Sequence, residues 1–156
     1  MDSNALNKLT YGLYILTSKH HDKTSGCIID ACIQAGTNPD RILISVMKSN
    51  HTRDIIKKSG VFCIEVLDEH CPFELIKHFG YQSSRDVDKF DGFTVYEDVN
   101  EVPFILSNVC ATISAKVVER IELGSHTVFV GEVQNQKLLS NSKPITYTYY
   151  QEEVKK

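Results

Sequence analysis

The chain has 156 residues, of which 42% are hydrophobic, and its formal net charge is −3. These values suit one domain with a substantial core, which we expect to cover residues 1–156. A nucleic-acid-binding protein is not indicated, because no long basic run is present. No apolar stretch is long enough to span a bilayer, and residues 1–4 do not resemble the start of a signal peptide. We therefore expect a soluble, cytoplasmic protein that binds neither nucleic acid nor a membrane.

The cysteines indicate neither a disulfide framework nor a metal site. There are five, an odd number, and no two are spaced as C-x-x-C. The nearest approach to a ligand cluster is His70 and Cys71 with His78, which lack the spacing of a zinc site. We expect no bound metal. Four of the five cysteines lie in predicted strands: Cys27, Cys32, Cys63 and Cys110.

Most of the chain has the pattern of short antiparallel strands. Runs of aromatic and β-branched residues alternate with turn residues, and this spacing is typical of a small barrel. A further strand and a proline turn are expected within residues 94–106. The other predicted strands cover residues 11–18, 25–34, 41–46, 61–67, 109–120, 128–136 and 145–150.

Two short helices interrupt the strands. Ile55, Ile56 and Ser59 have helical spacing, and Gly60 is a plausible stop. A second helix is predicted from Cys71 to Gly80, with proline near its start. We expect the tail, residues 151–156, to be frayed.

A polar segment precedes the first helix and allows two interpretations. It contains Lys48, Ser49, Asn50 and Thr52. Ser, Thr and Asn are good N-caps, so a capped helix with a solvated start explains them. The start of a helix also presents unpaired N–H groups and partial positive charge, so the same residues suit a phosphate.

Two later segments also allow a functional and a plain interpretation. The loop "SSRDVDKF" supplies Arg85 and Lys89, which would clamp a phosphate or pair with neighbouring aspartates of the loop. His126 follows a turn at Gly124 and begins a strand. It is either a group that titrates near neutral pH or an ordinary turn histidine.

The polar segment before the first helix, the loop "SSRDVDKF" and the segment around His126 follow one another in the chain, and several strand patterns accompany them. The matching pieces are "YGLYILTS", "SGCIID", "ISVMKSNHTRDIIKKSGVFCIEVL", "FGYQSSRDVDKF", "VPFI" and "GSHTVFVGEV". From about Leu9 to Tyr150, this set resembles the flavin reductase-like family, which has the FMN-binding split-barrel fold. The chain is most similar to the subgroup of flavoredoxins and rubredoxin-fused flavin reductases. It lacks the two C-x-x-C pairs that a rubredoxin needs.

The resemblance implies a mainly β fold, a six-stranded antiparallel split barrel with short inserted helices. It also implies a homodimer with FMN bound near the interface. The phosphate and ribityl chain would be held by Lys48, Ser49, Asn50 and Thr52, with Arg85 and Lys89 from the loop. The isoalloxazine would lie along the strand Gly26, Cys27, Ile28, Ile29 and Asp30. His126 would face the nicotinamide as the catalytic residue.

The function implied is an NAD(P)H-dependent oxidoreductase of the flavin reductase type. NADH or NADPH would pass electrons through bound FMN to a free flavin, a ferric complex or a protein such as a rubredoxin or a diiron flavoprotein. One alternative is an FMN electron-transfer protein that a partner protein reduces. Another is a binding module without redox activity.

Three positions depart from the family pattern. Ser125 precedes His126 where an acidic residue is frequent, and Ser84 replaces a glycine of the phosphate loop. Asp30 stands where an amide or hydroxyl is frequent, and an ionised carboxylate there would disfavour an anionic reduced flavin unless Asp30 is protonated or turned away. Cys27 is either a thiol that acts beside the ring or a small apolar residue packed against it.

Overall fold

The computed structural model describes residues 4–155, so the predictions for residues 1–3 and for Lys156 lie outside the described chain. Short turns of 3-10 helix (Ala5–Lys8) and π-helix (Tyr150–Val154) lie near the two ends. The helices are α1 (His51–Ser59), α2 (Phe73–Gly80) and α3 (Tyr147–Tyr149). The strands are β1 (Tyr14–His20), β2 (Lys23–Ile29), β3 (Cys32–Gly36), β4 (Arg41–Met47), β5 (Val61–Leu67), β6 (Tyr96–Glu97), β7 (Pro103–Phe104), β8 (Val109–Glu122) and β9 (His126–Leu138).

The mainly β prediction is confirmed, and the strands form an antiparallel barrel. Seven strands lie in the order β2-β1-β5-β8-β9-β4-β3. The prediction of one strand over residues 25–34 differs in detail, because this segment bends at Asp30 and Ala31. Its first half, β2, pairs with β1, and its second half, β3, pairs with β4. Counted once, the bent segment makes the barrel six-stranded, since its two halves join the ends of the sheet.

Two apolar cores lie on opposite faces of the sheet. The inner core fills the barrel with residues such as Leu16, Ile44, Phe62 and Phe129. The outer core lies between the barrel wall and α2, where Phe79 is fully buried. Strand side chains alternate between the two faces, so neighbouring residues of one strand enter different cores. This arrangement leaves the outer face of β2 between α1 and α2.

Helix α1 has the predicted start and stop. The Asn50 side chain accepts a hydrogen bond from the Thr52 N–H at 2.9 Å, which caps the first turn. Gly60 follows the last turn with φ of 72°, a left-handed conformation that glycine adopts without steric cost. Ile55 and Ile56 are 1% exposed and anchor the helix on the barrel.

The predicted last strand, residues 145–150, is wrong. Ile145 and Thr146 bond to the barrel, but the chain then becomes helical from Tyr147 to Val154. The Thr146 hydroxyl accepts from the Tyr149 N–H at 3.1 Å and caps this turn. Tyr150 is buried, with its hydroxyl 3.0 Å from that of Tyr81. The expectation of a frayed tail is therefore also wrong for residues 151–154.

The remaining predicted segments differ only in their limits. The segment 94–106 contains the small hairpin β6–β7. Strands β8 and β9 are longer than predicted, so the turn between them shrinks to residues 123–125. His126 therefore begins β9, as the pattern indicated.

Candidate functional site

A groove runs along the outer face of β2 as three connected cavities. The first cavity, of about 370 Å³, lies between the start of α1 and the loop that follows α2. The second, of about 280 Å³, shares Ile28, Met47 and Asn50 with the first. The third, of about 480 Å³, shares Asp30, Ser45, His126 and Tyr147 with the second. The groove therefore connects the α1 end to His126.

The α1 end of the groove suits an anion. Ser49, Asn50 and His51 line the first cavity at the N-terminus of a nine-residue helix. The first turn of a helix presents N–H groups without intrahelical acceptors and a partial positive charge. The Asn50 side chain accepts from the Thr52 N–H, so the prediction of a capped helix is confirmed, and the start of the helix also faces a cavity.

The loop after α2 is attached to β2 by side-chain hydrogen bonds. The Ser84 hydroxyl accepts from the Gly26 N–H at 3.1 Å and donates to the Gly26 carbonyl at 3.2 Å. Lys89 is 2% exposed, and its Nζ donates to the carbonyls of Gly26 at 2.7 Å and Phe79 at 2.6 Å. Burial lowers the pKa of the Lys89 ammonium. An ammonium has three N–H donors, so one is left for a ligand in the first cavity, which Lys89 lines.

Arg85 lines the same cavity with a half-exposed side chain. Its guanidinium donates to a carboxylate oxygen of Asp54 at 2.8 Å, on α1 rather than within the loop. The alternative of a charge pair with the neighbouring Asp86 therefore does not describe this loop. The Asp54 contact holds the guanidinium beside the helix N-terminus, and the Asp54 carboxylate compensates part of its charge.

Two residues predicted for the phosphate lie outside the cavities. Lys48 extends toward the β8–β9 hairpin, with its Nζ 3.5 Å from Glu122. Thr52 is buried, and its hydroxyl is 2.7 Å from that of Ser25 on β2. Neither residue is among those of the described chain that line the groove. Thr52 instead fastens α1 to β2.

The strand from Gly26 to Asp30 forms the floor of the groove. Ile28 and Asp30 face the groove, whereas Ile29 belongs mainly to the inner core and reaches only the second cavity. Cys27 borders the first cavity but is 3% exposed. Burial raises the pKa of its thiol to about 11, so Cys27 is a neutral thiol at pH 7. This favours the interpretation of Cys27 as a small packing residue.

One edge of β2 is free to bond a ligand. In the described sheet β2 is a terminal strand, with β1 on one side. Alternate residues direct their backbone groups to the same edge, and those of Gly26 point outward to Ser84. The N–H and carbonyl of Ile28 therefore point outward too, into the groove. A donor beside an acceptor matches the pyrimidine edge of a flavin, which carries both.

The other end of the groove contains His126. The Nδ1 of His126 is 2.7 Å from the Ser125 hydroxyl, and its backbone pairs with Met47. Asp30 lines both cavities that meet here and has no side-chain hydrogen bond or ion pair within residues 4–155. The fold thus brings together His126 and Asp30, two residues that were predicted separately for the site and are far apart in the chain.

Several residues of the groove were missed from the sequence, among them His51 and Tyr147. His51 lines the first cavity, and its Nδ1 is buried without a hydrogen-bond partner in the described chain. Burial first, and then the charge of Arg85, lower the pKa of the His51 imidazole. Its position directly after an N-cap was a usable signal. Tyr147 lines the second and third cavities, but it lies in the segment mispredicted as a strand.

No group of three or more His, Cys, Asp or Glu side chains in the described part of the chain is arranged to hold a metal ion. None of its helices combines the length and apolar composition that crossing a bilayer requires. The features that the fold brings together are a cationic cavity, a free strand edge and a histidine, in that order along one groove. They suit a flavin nucleotide, and the class is that of a flavin-binding split barrel.

Comparison with known proteins agrees with this class. The family model described as the flavin reductase like domain matches residues 6–156. The chain is 36% identical over 150 residues to the ferric-chelate reductase (NAD(P)H) of Archaeoglobus fulgidus, covering 96% of this chain and 89% of that protein. It is 35% identical to the high molecular weight rubredoxin of Moorella thermoacetica, covering 96% of this chain but only 66% of that protein. The protein belongs to the flavin reductase-like family and is an oxidoreductase of the flavin reductase type.

A solved structure agrees with the fold. The flavoredoxin of Methanosarcina acetivorans superposes with a TM-score of 0.79 at 21% identity, covering 92% of this chain and 78% of that chain. At this identity the likeness concerns the fold alone. It supports the overall barrel fold.

Proposed function

We propose that the protein binds FMN in the groove along β2 and passes electrons from NADH or NADPH through it to an acceptor. The observation that carries this proposal is the order of features along the groove. A helix N-terminus with Arg85 and Lys89 stands at one end, and a free backbone donor and acceptor stand in the middle. An anion site at the start of the groove suits a phosphate, and a free backbone donor and acceptor beside it suit the edge of a flavin ring.

The cofactor is held by three groups of residues. Ser49, Asn50 and Arg85 contact the phosphate, and Lys89 offers it one remaining N–H. The edge of β2 at Ile28 bonds the ring, and Gly26 is held in place for this by Ser84 and Lys89. Lys48 and Thr52 support the site indirectly, through Glu122 and Ser25.

Bound FMN supplies the capacity to accept a hydride and to pass its electrons on. The third cavity holds the nicotinamide, since it adjoins the ring cavity and opens outward. His126 lies on the wall between these two cavities and orients the nicotinamide, with Ser125 fixing its ring. Cys27 takes no part as a nucleophile, because its thiol stays protonated at neutral pH.

The acceptor is a ferric complex, a free flavin or a protein. The relative from Archaeoglobus fulgidus is a ferric-chelate reductase, which supports the first of these. The relative from Moorella thermoacetica is a rubredoxin, and more distant relatives are diflavin flavoproteins, so a rubredoxin or a flavoprotein is the proposed protein partner.

We further propose a homodimer in the cytoplasm. A large, mainly apolar cavity next to β3 is lined by Leu9, Tyr11 and Ile33, and Ile33 is 62% exposed. A second copy would cover this surface close to the groove, since Tyr11 and Asp30 line both. The five free cysteines support a reducing compartment.

The test is the visible absorption spectrum of the purified protein after small molecules have been removed, with FMN added back if necessary. Flavin bands that stay with the protein are expected. NADH or NADPH added without oxygen should then bleach them within seconds. If only a reduced partner protein bleaches these bands, the protein is an electron carrier. If the protein takes up no FMN, the proposal is overturned.

A further inference from the structure

The charges along the groove are separated by sign. Arg85 and Lys89 line the first cavity. Among the described residues that line the second and third cavities there is no lysine or arginine, and Asp30 is the one acidic residue. Its side chain has no hydrogen bond or ion pair within the described chain, so no protein group compensates its charge.

Asp30 lies where the flavin ring would change charge. It lies two residues after Ile28, at the bend just beyond the end of β2, and both residues line the second cavity. Accepting a hydride adds one negative charge to the ring unless a proton follows. A like charge nearby disfavours the ion that forms, and Asp30 is only partly exposed, so water screens its charge incompletely.

We propose that Asp30 lowers the reduction potential of the bound flavin by repelling the negative charge that reduction creates. This inference rests on the proposed function, because it requires FMN in the groove. Asp30 therefore acts as a tuning residue rather than as a hydride or proton carrier. It makes the bound reduced flavin a stronger reductant and weakens the binding of reduced flavin relative to oxidised flavin.

The experiment is an anaerobic dye-coupled titration of the FMN-loaded protein, which gives the midpoint potential. Asp30→Asn and Asp30→Ser both remove the charge, and Asp30→Glu retains it. The matched control is Asp22→Asn in the exposed β1–β2 turn. It lies eight residues away, roughly 26 Å along an extended strand and well beyond the screening length.

We expect both neutral variants to raise the midpoint potential by about 30 mV or more, which corresponds to a tenfold change in relative affinity for reduced and oxidised flavin. Asp30→Glu and Asp22→Asn should stay within about 10 mV of the wild type, roughly a twofold change. The ratio of dissociation constants for the two redox forms, measured separately, should change by the same factor.

If the neutral variants bind FMN and their midpoint potential equals that of the wild type, this inference is overturned and the proposed function stays intact. If only one of the two neutral variants folds, the midpoint potential of that variant decides whether the inference holds. A wild-type protein that retains no FMN would overturn the proposed function and this inference together, and the absorption spectrum shows this before any titration.

Discussion

At the α1 end of the groove nearly every charged side chain already has a protein partner, whereas at the His126 end Asp30 has none. Lys89 donates to two carbonyls and Arg85 is held by Asp54. These groups are preorganised before any ligand arrives, so little ordering is needed on binding. Unpaired groups at the other end respond directly to a change in ligand charge. One end is therefore suited to holding a ligand and the other to influencing its chemistry.

The largest test of this contrast is Lys89→Met, which removes the buried ammonium while leaving a side chain of similar size. Two carbonyls lose a charged donor, and a buried acceptor left unsatisfied costs about 1–3 kcal/mol. We expect the free energy of unfolding, measured by urea denaturation, to fall by about 2–3 kcal/mol. Lys58→Met on the exposed face of α1 is the control and should change it by less than about 0.5 kcal/mol. Equal effects would mean that Lys89 does not fasten the loop.

Alkylation of Cys27 reports the environment of the first cavity, at the α1 end of the groove. Burial raises the pKa of this thiol from 9.0 to about 11, so at a given lower pH its thiolate fraction is about a hundredfold below that of an ordinary thiol. We expect the iodoacetamide rate at Cys27, followed by peptide mass spectrometry, to be slower by at least that factor at pH 8. It should rise about tenfold per pH unit up to about pH 11. Rapid alkylation at pH 7 would show instead that the cations of the α1 end stabilise the thiolate.

Arg85→Ala tests which cation reaches the phosphate. A charge-assisted hydrogen bond contributes about 1.5–3 kcal/mol, so we expect FMN affinity to fall by about tenfold or more. Lys48→Ala removes the same charge outside the cavity, where an exposed ion pair contributes about 0–1 kcal/mol, and should change affinity less than about threefold. Fluorescence titration of FMN measures both. A larger loss of FMN affinity in Lys48→Ala than in Arg85→Ala would show that Lys48, not Arg85, contacts the phosphate.

Ser125→Ala should have the smallest effect. It removes one neutral hydrogen bond at the edge of the groove, which contributes about 0.5–1.5 kcal/mol. We expect the rate of flavin bleaching by NADH, measured by anaerobic stopped flow, to fall less than about tenfold. His126→Asn removes the imidazole ring and should lower the bleaching rate further. Equal losses would mean that the Ser125 contact, not the imidazole itself, determines the rate.

The features predictable from the sequence were local ones. Asn50 marks the start of α1 and Gly60 marks its end, through contacts within the helix. The alternation of strand patterns with turn residues indicated the barrel. The bend at Asp30 was not visible, because each half of the segment has a strand pattern and only the pairing partners, β1 and β4, differ. Pairing of strands distant in sequence determines such a bend.

The parts of the site that the sequence did not reveal depend on contacts between distant residues. Arg85 pairs with a residue 31 positions away, and Lys89 bonds a carbonyl 63 positions away. The run "ITYTYY" has strong β propensity, yet Tyr147 lies in a helical turn. Burial of Tyr150 against Tyr81, 69 positions away, accompanies that turn, and tertiary packing of this kind overrides propensity.

The covering of Gly26 by Ser84 and Lys89 also bears on self-association. A terminal strand with unpaired backbone groups is a template on which strands of other molecules add, which leads to aggregation. The loop bonds the backbone groups of Gly26 and so blocks strand addition there. The backbone N–H and carbonyl of Ile28 stay unpaired unless a ligand bonds them. We therefore expect the ligand-free protein to be the form most prone to aggregate, and occupancy of the groove to keep the protein dispersed.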